Sequence, residues 1–371
     1  MPFTYDSVKI EVSGASICNH ILKSGHKIKK IKNGRSRQMS IKILDNTLRD
    51  GSNAINYQFD RKLTQVVLKH LEEAGIEWIE MGHGSGLGAS RKSEEVPAKL
   101  SDEEYIEVAQ ETLKNAKFGF LFEKGIGTEE DIKKAAQHGV DFIRVAANIT
   151  EIDKMENYIK YAKDQGLIVL VALMKAYAIP PEKEYFRILQ KLYDWGVTWA
   201  TLMDSAGTMI PTMVQEYIIK GRMYSDLLLG FHAHNNLQLG IANTIAAIQA
   251  GATSVDACVG GLGRSAGNAP TEILALVMQK YNWGKHLNYK ILSDLNDQHI
   301  YPLIRGENRF SSKAITFGYA GFHSGFFPLI KKVVKKYPSI DYRDLIIALS
   351  EKEKVNVTEE LIEKIAKGML K

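Results

Sequence analysis

Near the middle of the chain, Phe231-His232-Ala233-His234-Asn235-Asn236 closes an apolar run. Residues two apart on a strand share a face, so both imidazoles can address one divalent cation at the strand's end. Far upstream, Asn46-Thr47-Leu48-Arg49-Asp50-Gly51 follows another short apolar run. A carboxylate there completes a two-histidine, one-carboxylate set that leaves room for a bidentate ligand. Such a ligand is a 2-keto acid, chelating through its carboxylate and keto oxygens, and Arg49 beside it can stabilise charge developing on an enolate oxygen. Read separately, the histidines can simply hydrogen-bond in a loop, and Arg49 with Asp50 can form a rim ion pair. Together they predict carbon–carbon bond chemistry next to a 2-keto acid.

Elements must bring residues 50 and 232 together. From residue 41 onward, β-branched or apolar runs alternate with amphipathic stretches of helical period, the pattern of repeated β-α units and a parallel sheet. Eight strands are predicted: Ile41 to Asn46, Glu77 to Gly82, Lys117 to Phe122, Phe142 to Ala147, Leu167 to Met174, Trp199 to Asp204, Leu228 to His234 and Ser254 to Val259. Thr128, followed by Glu129 and Glu130, opens a helix that Gly139 stops. Glycines 75, 166, 196 and 251 mark the turns that launch the next strands. The fold class is therefore α/β, a (β/α)8 barrel spanning residues 39–284. An N-terminal extension, 1–38, precedes it and a C-terminal helical region, 285–371, follows it, with helices at Phe326 to Lys336 and Thr358 to Lys367. Barrel enzymes keep their chemistry at the C-terminal ends of the strands, where both motifs fall.

Composition narrows the classes. With 371 residues, 45% of them hydrophobic and 25% charged, the chain reads as an ordinary soluble protein without an apolar run of membrane-spanning length or a secretory leader, which predicts a cytoplasmic enzyme. Cys18 and Cys258 are too few for a disulfide framework or a cysteine metal cluster. The net charge of +5 is spread over many lysines, and the basic run Lys27 to Arg37 lacks the interleaved aromatics of a nucleic-acid platform. Gly261-x-Gly263-x-x-Ala266 follows the last strand without the unit a dinucleotide fingerprint needs, so a phosphate cradle fits it better. Lys175 ends the fifth strand and could form a Schiff base, a chemistry with no use for a cation site.

Six ordered segments resemble a known family: Thr47 to Ser52, His83-Gly84-x-Gly86-Leu87, Met203-Asp204-Ser205-Ala206-Gly207, His232-Ala233-His234-x-Asn236, Gly263 to Pro270 and Gly318-Tyr319-Ala320-Gly321. Their order resembles that of the metal-dependent aldolases and acyl-condensing enzymes that include 3-hydroxy-3-methylglutaryl-CoA lyase, isopropylmalate synthase and, with the strongest likeness, 4-hydroxy-2-oxovalerate aldolase. The resemblance implies that Asp50, His232 and His234 bind a divalent metal, with Asn268 in or beside its coordination sphere. Mn2+ is the first choice, with Mg2+, Co2+ or Zn2+ as alternatives. It further implies that Arg49 binds the pyruvate moiety, Ser205 holds the substrate carboxylate and Tyr319 sits over the pocket as a proton donor or orienting group. By the same resemblance the protein is a homo-oligomer whose C-terminal helices dock an acetaldehyde dehydrogenase-like partner.

One position departs from the pattern. Where the resembled aldolases carry a histidine base after Arg-Asp-Gly-x, this chain has Asn53, whose amide cannot take a proton. His83 or Tyr57 is the expected substitute, with Asn53 kept as a substrate contact. Two other readings follow from the same residue: a Claisen-type acyl-CoA condensing enzyme, since synthases and lyases of the family carry an amide there, or a barrel that lost turnover and acts as a binding protein.

Overall fold

The computed structural model describes residues 41–92, 96–305, 309 and 311–370. The predicted N-terminal extension, with Cys18 and the basic run, lies outside the described residues.

Eight parallel strands close into a barrel: β1 Lys42–Asp45, β2 Trp78–Met81, β3 Lys117–Glu123, β4 Phe142–Asn148, β5 Ile168–Met174, β6 Trp199–Asp204, β7 Leu228–Ala233 and β8 Ser254–Ala257. The ring closes through β1 on β8, with Lys42 opposite Ser254 and Asp45 opposite Ala257. The helices between strands are α1 Arg61–Glu73, α2 Asp102–Thr112, α3 Glu129–Gln137, α4 Glu156–Asp164, α5 Lys183–Asp194, α6 Pro211–Tyr224 and α7 Gly240–Ala250, with α8 Thr271–Lys280 after the last strand. Helix α1 buries Thr64, Val67, Leu68 and Leu71, a stripe at helical spacing, against the barrel. Helix α3 starts where the sequence places it: Thr128 and Asp131 cap each other's free backbone groups. At the opposite ends, Gly75, Gly166, Gly196 and Gly251 take φ of 89°, 83°, 78° and 100°, the left-handed stop expected there.

The barrel interior is layered. At the bottom Leu44, Trp78, Phe142, Leu170 and Trp199 form an apolar plug, with the two tryptophan rings edge to face at 4.7 Å. Above it lies a fully buried charged layer. Arg144 donates from Nε to Glu80 Oε1 at 2.7 Å and from Nη1 to Asp256 Oδ2 at 2.5 Å. Removing these charges from water is costly, and the several short hydrogen bonds offset that cost only while all partners are present. This layer is the floor of the site at the strand ends.

Beyond α8, helix α9 Tyr289–Leu295 still packs Leu292 and Leu295 into the barrel's core. Helices α10 Ser312–Ala320, α11 Phe327–Lys336, α12 Tyr342–Ser350 and α13 Glu359–Met369 build a second core around Phe317, Phe322, Ile330, Leu345 and Ile362. Lys175, at the end of β5, ties this core to the barrel, because its ammonium donates to Val355 O at 2.7 Å and lies 5.2 Å from the Phe326 ring centre. Among the described residues, no helix is long and apolar enough to cross a membrane.

Candidate active site and metal centre

Asp50, His232 and His234 converge at the top of the barrel, each buried, with ligand atoms that all lie within 4.8 Å of one another. The period-two argument for the histidine pair holds: both rings stand on the interior side of β7's end, 5.0 Å apart. His232 Nδ1 donates to Asp256 Oδ2 at 3.0 Å, which fixes the tautomer and leaves Nε2 buried and without a hydrogen-bond partner, 3.9 Å from Asp50 Oδ2. An orphaned imidazole nitrogen beside a carboxylate is an expensive arrangement unless a cation fills it. Asn268 donates from Nδ2 to Asp50 Oδ2 and, at 2.9 Å, to Leu262 O, while its Oδ1 is likewise buried and unpartnered. The residues present therefore fit a divalent cation.

Electrostatics agree. Burial pushes the Asp50 carboxyl up, but Arg49, His234 and His232, with the Asn268 amide, together hold it well below the usual carboxylate range, so it is ionised. Burial pushes His234 down to about 4, against the pull of Asp50, so it is neutral and can offer a lone pair. The loop over this centre must pass very close: at Gly263, φ 147°, a Cβ would lie 2.3 Å from Asn268 Nδ2. The Gly260–Gly267 segment is thus a tight cover on the candidate metal centre, and its Gly260 and Gly261 carbonyls accept from Arg309 Nη1.

Arg49 is clamped by two carboxylates, donating from Nε to Glu80 Oε2 at 2.6 Å and from Nη1 to Asp50 Oδ1 at 3.0 Å. Its Nη2 is buried with no partner. Ser205 stands just past β6, its Oγ accepting from the Lys175 amide at 2.9 Å, which leaves the hydroxyl proton to donate. The turn that presents Ser205 is held by Asp204, whose carboxylate accepts from the Thr208 and Met209 amides at 2.9 Å.

Three predicted residues sit differently from expectation. His83 donates or accepts at both ring nitrogens within its own loop, to Val96 O at 2.9 Å and from the Ser85 amide at 3.0 Å, so neither is left for proton transfer. Its ring stacks 3.8 Å from that of Tyr57. Tyr319 is 73% exposed, because the phase of α10 buries Phe317, Gly318 and Ala320 and leaves residue 319 on the solvent side. Asn53 is fully committed: Nδ2 donates to Asp50 O at 3.0 Å, and Oδ1 accepts from Arg264 Nη2 at 2.9 Å and from the Tyr57 hydroxyl at 3.1 Å. Lys175 spends its ammonium on Val355, as described above, and burial brings it down to about 8.

Glu80, Arg144, Asp256, Arg264 and His323 were not anticipated from sequence. The first three are isolated charges in apolar runs, Arg264 lies within the Gly263 to Pro270 segment but was given no role, and His323 stands two residues after the segment that ends at Gly321.

A family model described as HMGL-like matches residues 40–298. The chain belongs to the HMGL-like family. It is 39% identical over 329 residues to the 4-hydroxy-2-oxovalerate aldolase of Carboxydothermus hydrogenoformans, covering 88% of this chain and 96% of that protein. It is 34% identical to 4-hydroxy-2-oxovalerate aldolase 4 of Rhodococcus opacus, covering 89% and 94%. Among solved structures, the carboxyl transferase domain of Rhizobium etli pyruvate carboxylase superposes with a TM-score of 0.73 at 15% identity, covering 91% of this chain and 61% of that one, a likeness of fold alone. The chain is thus related over most of its length to proteins named 4-hydroxy-2-oxovalerate aldolase.

Proposed function

We propose that the chain cleaves or forms 4-hydroxy-2-oxo acids by aldol chemistry, with Asp50, His232 and His234 as the metal ligands and Asn268 Oδ1 at the edge of the coordination sphere. The observation that carries this reading is the pair of buried, unpartnered acceptor atoms, His232 Nε2 and Asn268 Oδ1, facing the ionised Asp50. Mn2+ is the ion of first choice, since a mixed imidazole and carboxylate set with open positions suits it. When bound, a divalent cation supplies Lewis-acid polarisation of the keto oxygen.

The chain's own groups do the rest. Arg49, held rigid by Glu80 and Asp50, directs Nη2 at the oxygen on which enolate charge develops, and a donor fixed in a buried site costs little reorganisation at the moment of reaction. Ser205 donates its hydroxyl proton to the substrate carboxylate. A cavity of ≈ 570 Å³ opens at the ends of β3, β4 and β5, lined by Glu123, Asn148, Glu151, Lys154 and Met174, and gives the aldehyde-derived half its place.

The working assembly is a cytoplasmic homo-oligomer, for which the exposed Ile273, Leu276 and Tyr281 at one end of the barrel are candidate contacts. An aldehyde-consuming dehydrogenase is the partner proposed for the C-terminal helices, where Ile315 and Tyr319, one turn apart on α10, are both exposed. The test is a cleavage assay with Mn2+ and a series of 4-hydroxy-2-oxo acids of increasing chain length, following pyruvate release. Manganese-dependent release from at least one member is expected. No pyruvate from any member, with the metal bound, would rule the reaction out.

A further inference from the structure

Asn53 and His83 have their polar atoms engaged within the protein, and Tyr319 is largely exposed. A further polar side chain comes from outside the barrel. After α10, Gly321 takes φ 61° and reverses the chain, and His323 follows from the C-terminal helical region. Its imidazole feels the charges of Arg264, Lys175, His234 and Asp50, which come from the β8 loop, β5, β7 and the loop after β1. The position of a Cβ on Gly325 would be 2.9 Å from the His323 ring and 3.6 Å from Arg264 Nη1, so ring and guanidinium flank one small space. Arg264, in turn, is the group that donates to Asn53 Oδ1. Arg264 therefore lies near His323 and is hydrogen-bonded to Asn53, the residue that departs from the family pattern.

The tautomer follows from local geometry. His323 Nδ1 accepts from the Gly325 amide at 3.3 Å, so the neutral ring carries its proton on Nε2, which has no hydrogen-bond partner among the described residues. Burial, with Arg264, Lys175 and His234 adding to it, holds this imidazole well below the usual histidine range against the opposing pull of Asp50, so the neutral form prevails at neutral pH.

We propose that His323 is a catalytic residue in this chain, donating a hydrogen bond from Nε2 to the hydroxyl or aldehyde oxygen of the acceptor half of the substrate. The role rests on the aldol reading of the site. Arg49, Asp50 and Ser205 come from strand ends and address the keto-acid half, whereas His323 arrives above the strand ends and meets what projects beyond it. The donor steadies negative charge on that oxygen. In cleavage the hydroxyl proton passes to solvent water, the carbon–carbon bond pair becomes the enolate, and the enolate carbon takes a proton back from water to give pyruvate, while Nε2 keeps its own proton.

The test compares His323→Ala, His323→Phe and His323→Gln in the full chain. Two assays are run on each: Mn2+-dependent cleavage of a 4-hydroxy-2-oxo acid that the wild type accepts, and Mn2+-dependent exchange of the pyruvate methyl protons in D2O. Loss of one such donor lowers kcat for cleavage about 10²–10³-fold in the alanine and phenylalanine variants. The glutamine variant, which keeps an N–H donor, recovers most of that loss, and methyl exchange persists in all three. Full cleavage activity in His323→Phe would overturn the proposal, as would a glutamine variant as inactive as alanine. Loss of exchange in His323→Ala with manganese still bound would also overturn it, by placing the residue on the keto-acid half. Absence of exchange in the wild type would instead count against the aldol reading itself.

Discussion

His232 Nδ1 donates to Asp256 Oδ2 across 3.0 Å, joining the end of β7 to the middle of β8 inside the barrel. The same carboxylate oxygen accepts from Arg144, so one buried acid both orients a metal-binding imidazole and neutralises the charged layer below it. Substituting Asp256→Asn removes the charge and lets the His232 ring adopt the other tautomer. Manganese affinity falls about 10–100-fold, the usual effect of losing such a support. Titration of the apo-protein with Mn2+ by calorimetry measures it; unchanged affinity would mean that His232 is oriented by something else.

Arg144 is the only cation bridging Glu80 and Asp256 among the described residues, with all three side chains fully buried. Arg144→Met leaves Asp256 without its guanidinium partner and Glu80 with Arg49 alone. Global stability drops by about 3–5 kcal/mol, the cost typical of an orphaned buried ion pair. Urea unfolding followed by circular dichroism reads this directly, and a loss below 1 kcal/mol would show that water or protonation relieves the layer.

Arg49 keeps a fixed fork between Glu80 and Asp50, with Nη2 left over. Lysine cannot span both carboxylates and still present a third donor. Arg49→Lys therefore retains manganese but lowers kcat by about 10²–10³-fold, as for loss of one donor to a developing oxyanion. Steady-state cleavage kinetics with metal analysis of the same sample separate the two effects. A change in KM alone would assign Arg49 to ground-state binding.

Glu272, in the first turn of α8, accepts from the Gly260 amide at 3.0 Å, and burial pushes its carboxyl from 4.5 up to about 7. The folded state thus holds a proton that the unfolded chain has released. This stabilising contribution is complete below pH 4.5 and is lost as pH rises to 7, after which it is flat. Glu272→Gln keeps the neutral form at all pH values, so its stability relative to wild type rises between pH 5 and 7. Denaturant midpoints at pH 5, 6, 7 and 8 check this; parallel curves would contradict it.

The eight strands and the pairing of His232 with His234 on one face were legible because their signals are local. A β-branched run between a glycine stop and a polar loop marks a strand wherever it occurs, and His232 with His234 carry their shared face in their spacing. The charged layer was not legible. Glu80, Arg144 and Asp256 are far apart in sequence, and each reads alone as an odd charge in an apolar run. Only barrel closure, β8 against β1, brings them together. The exposure of Tyr319 was not legible for a related reason: a motif marks the segment, but helix phase decides that Phe317, Gly318 and Ala320 are buried and that residue 319 is exposed. The contacts of His83 were not legible because its partners, Val96 O and the Ser85 amide, are backbone groups that no residue pattern announces.

The proposed chemistry depends on a divalent cation held by Asp50, His232 and His234 activating a 2-keto acid. The most direct measurement is proton NMR of pyruvate in D2O with wild type, metal-stripped protein and His232→Ala. Methyl-proton exchange should be fast with wild type and Mn2+, and should vanish on stripping and return on adding the ion. In His232→Ala it should fall at least 10²-fold, in line with the loss of the metal's contribution to enolate stabilisation. Equal exchange by stripped and manganese-loaded wild type, or by His232→Ala, would contradict the metal-assisted mechanism.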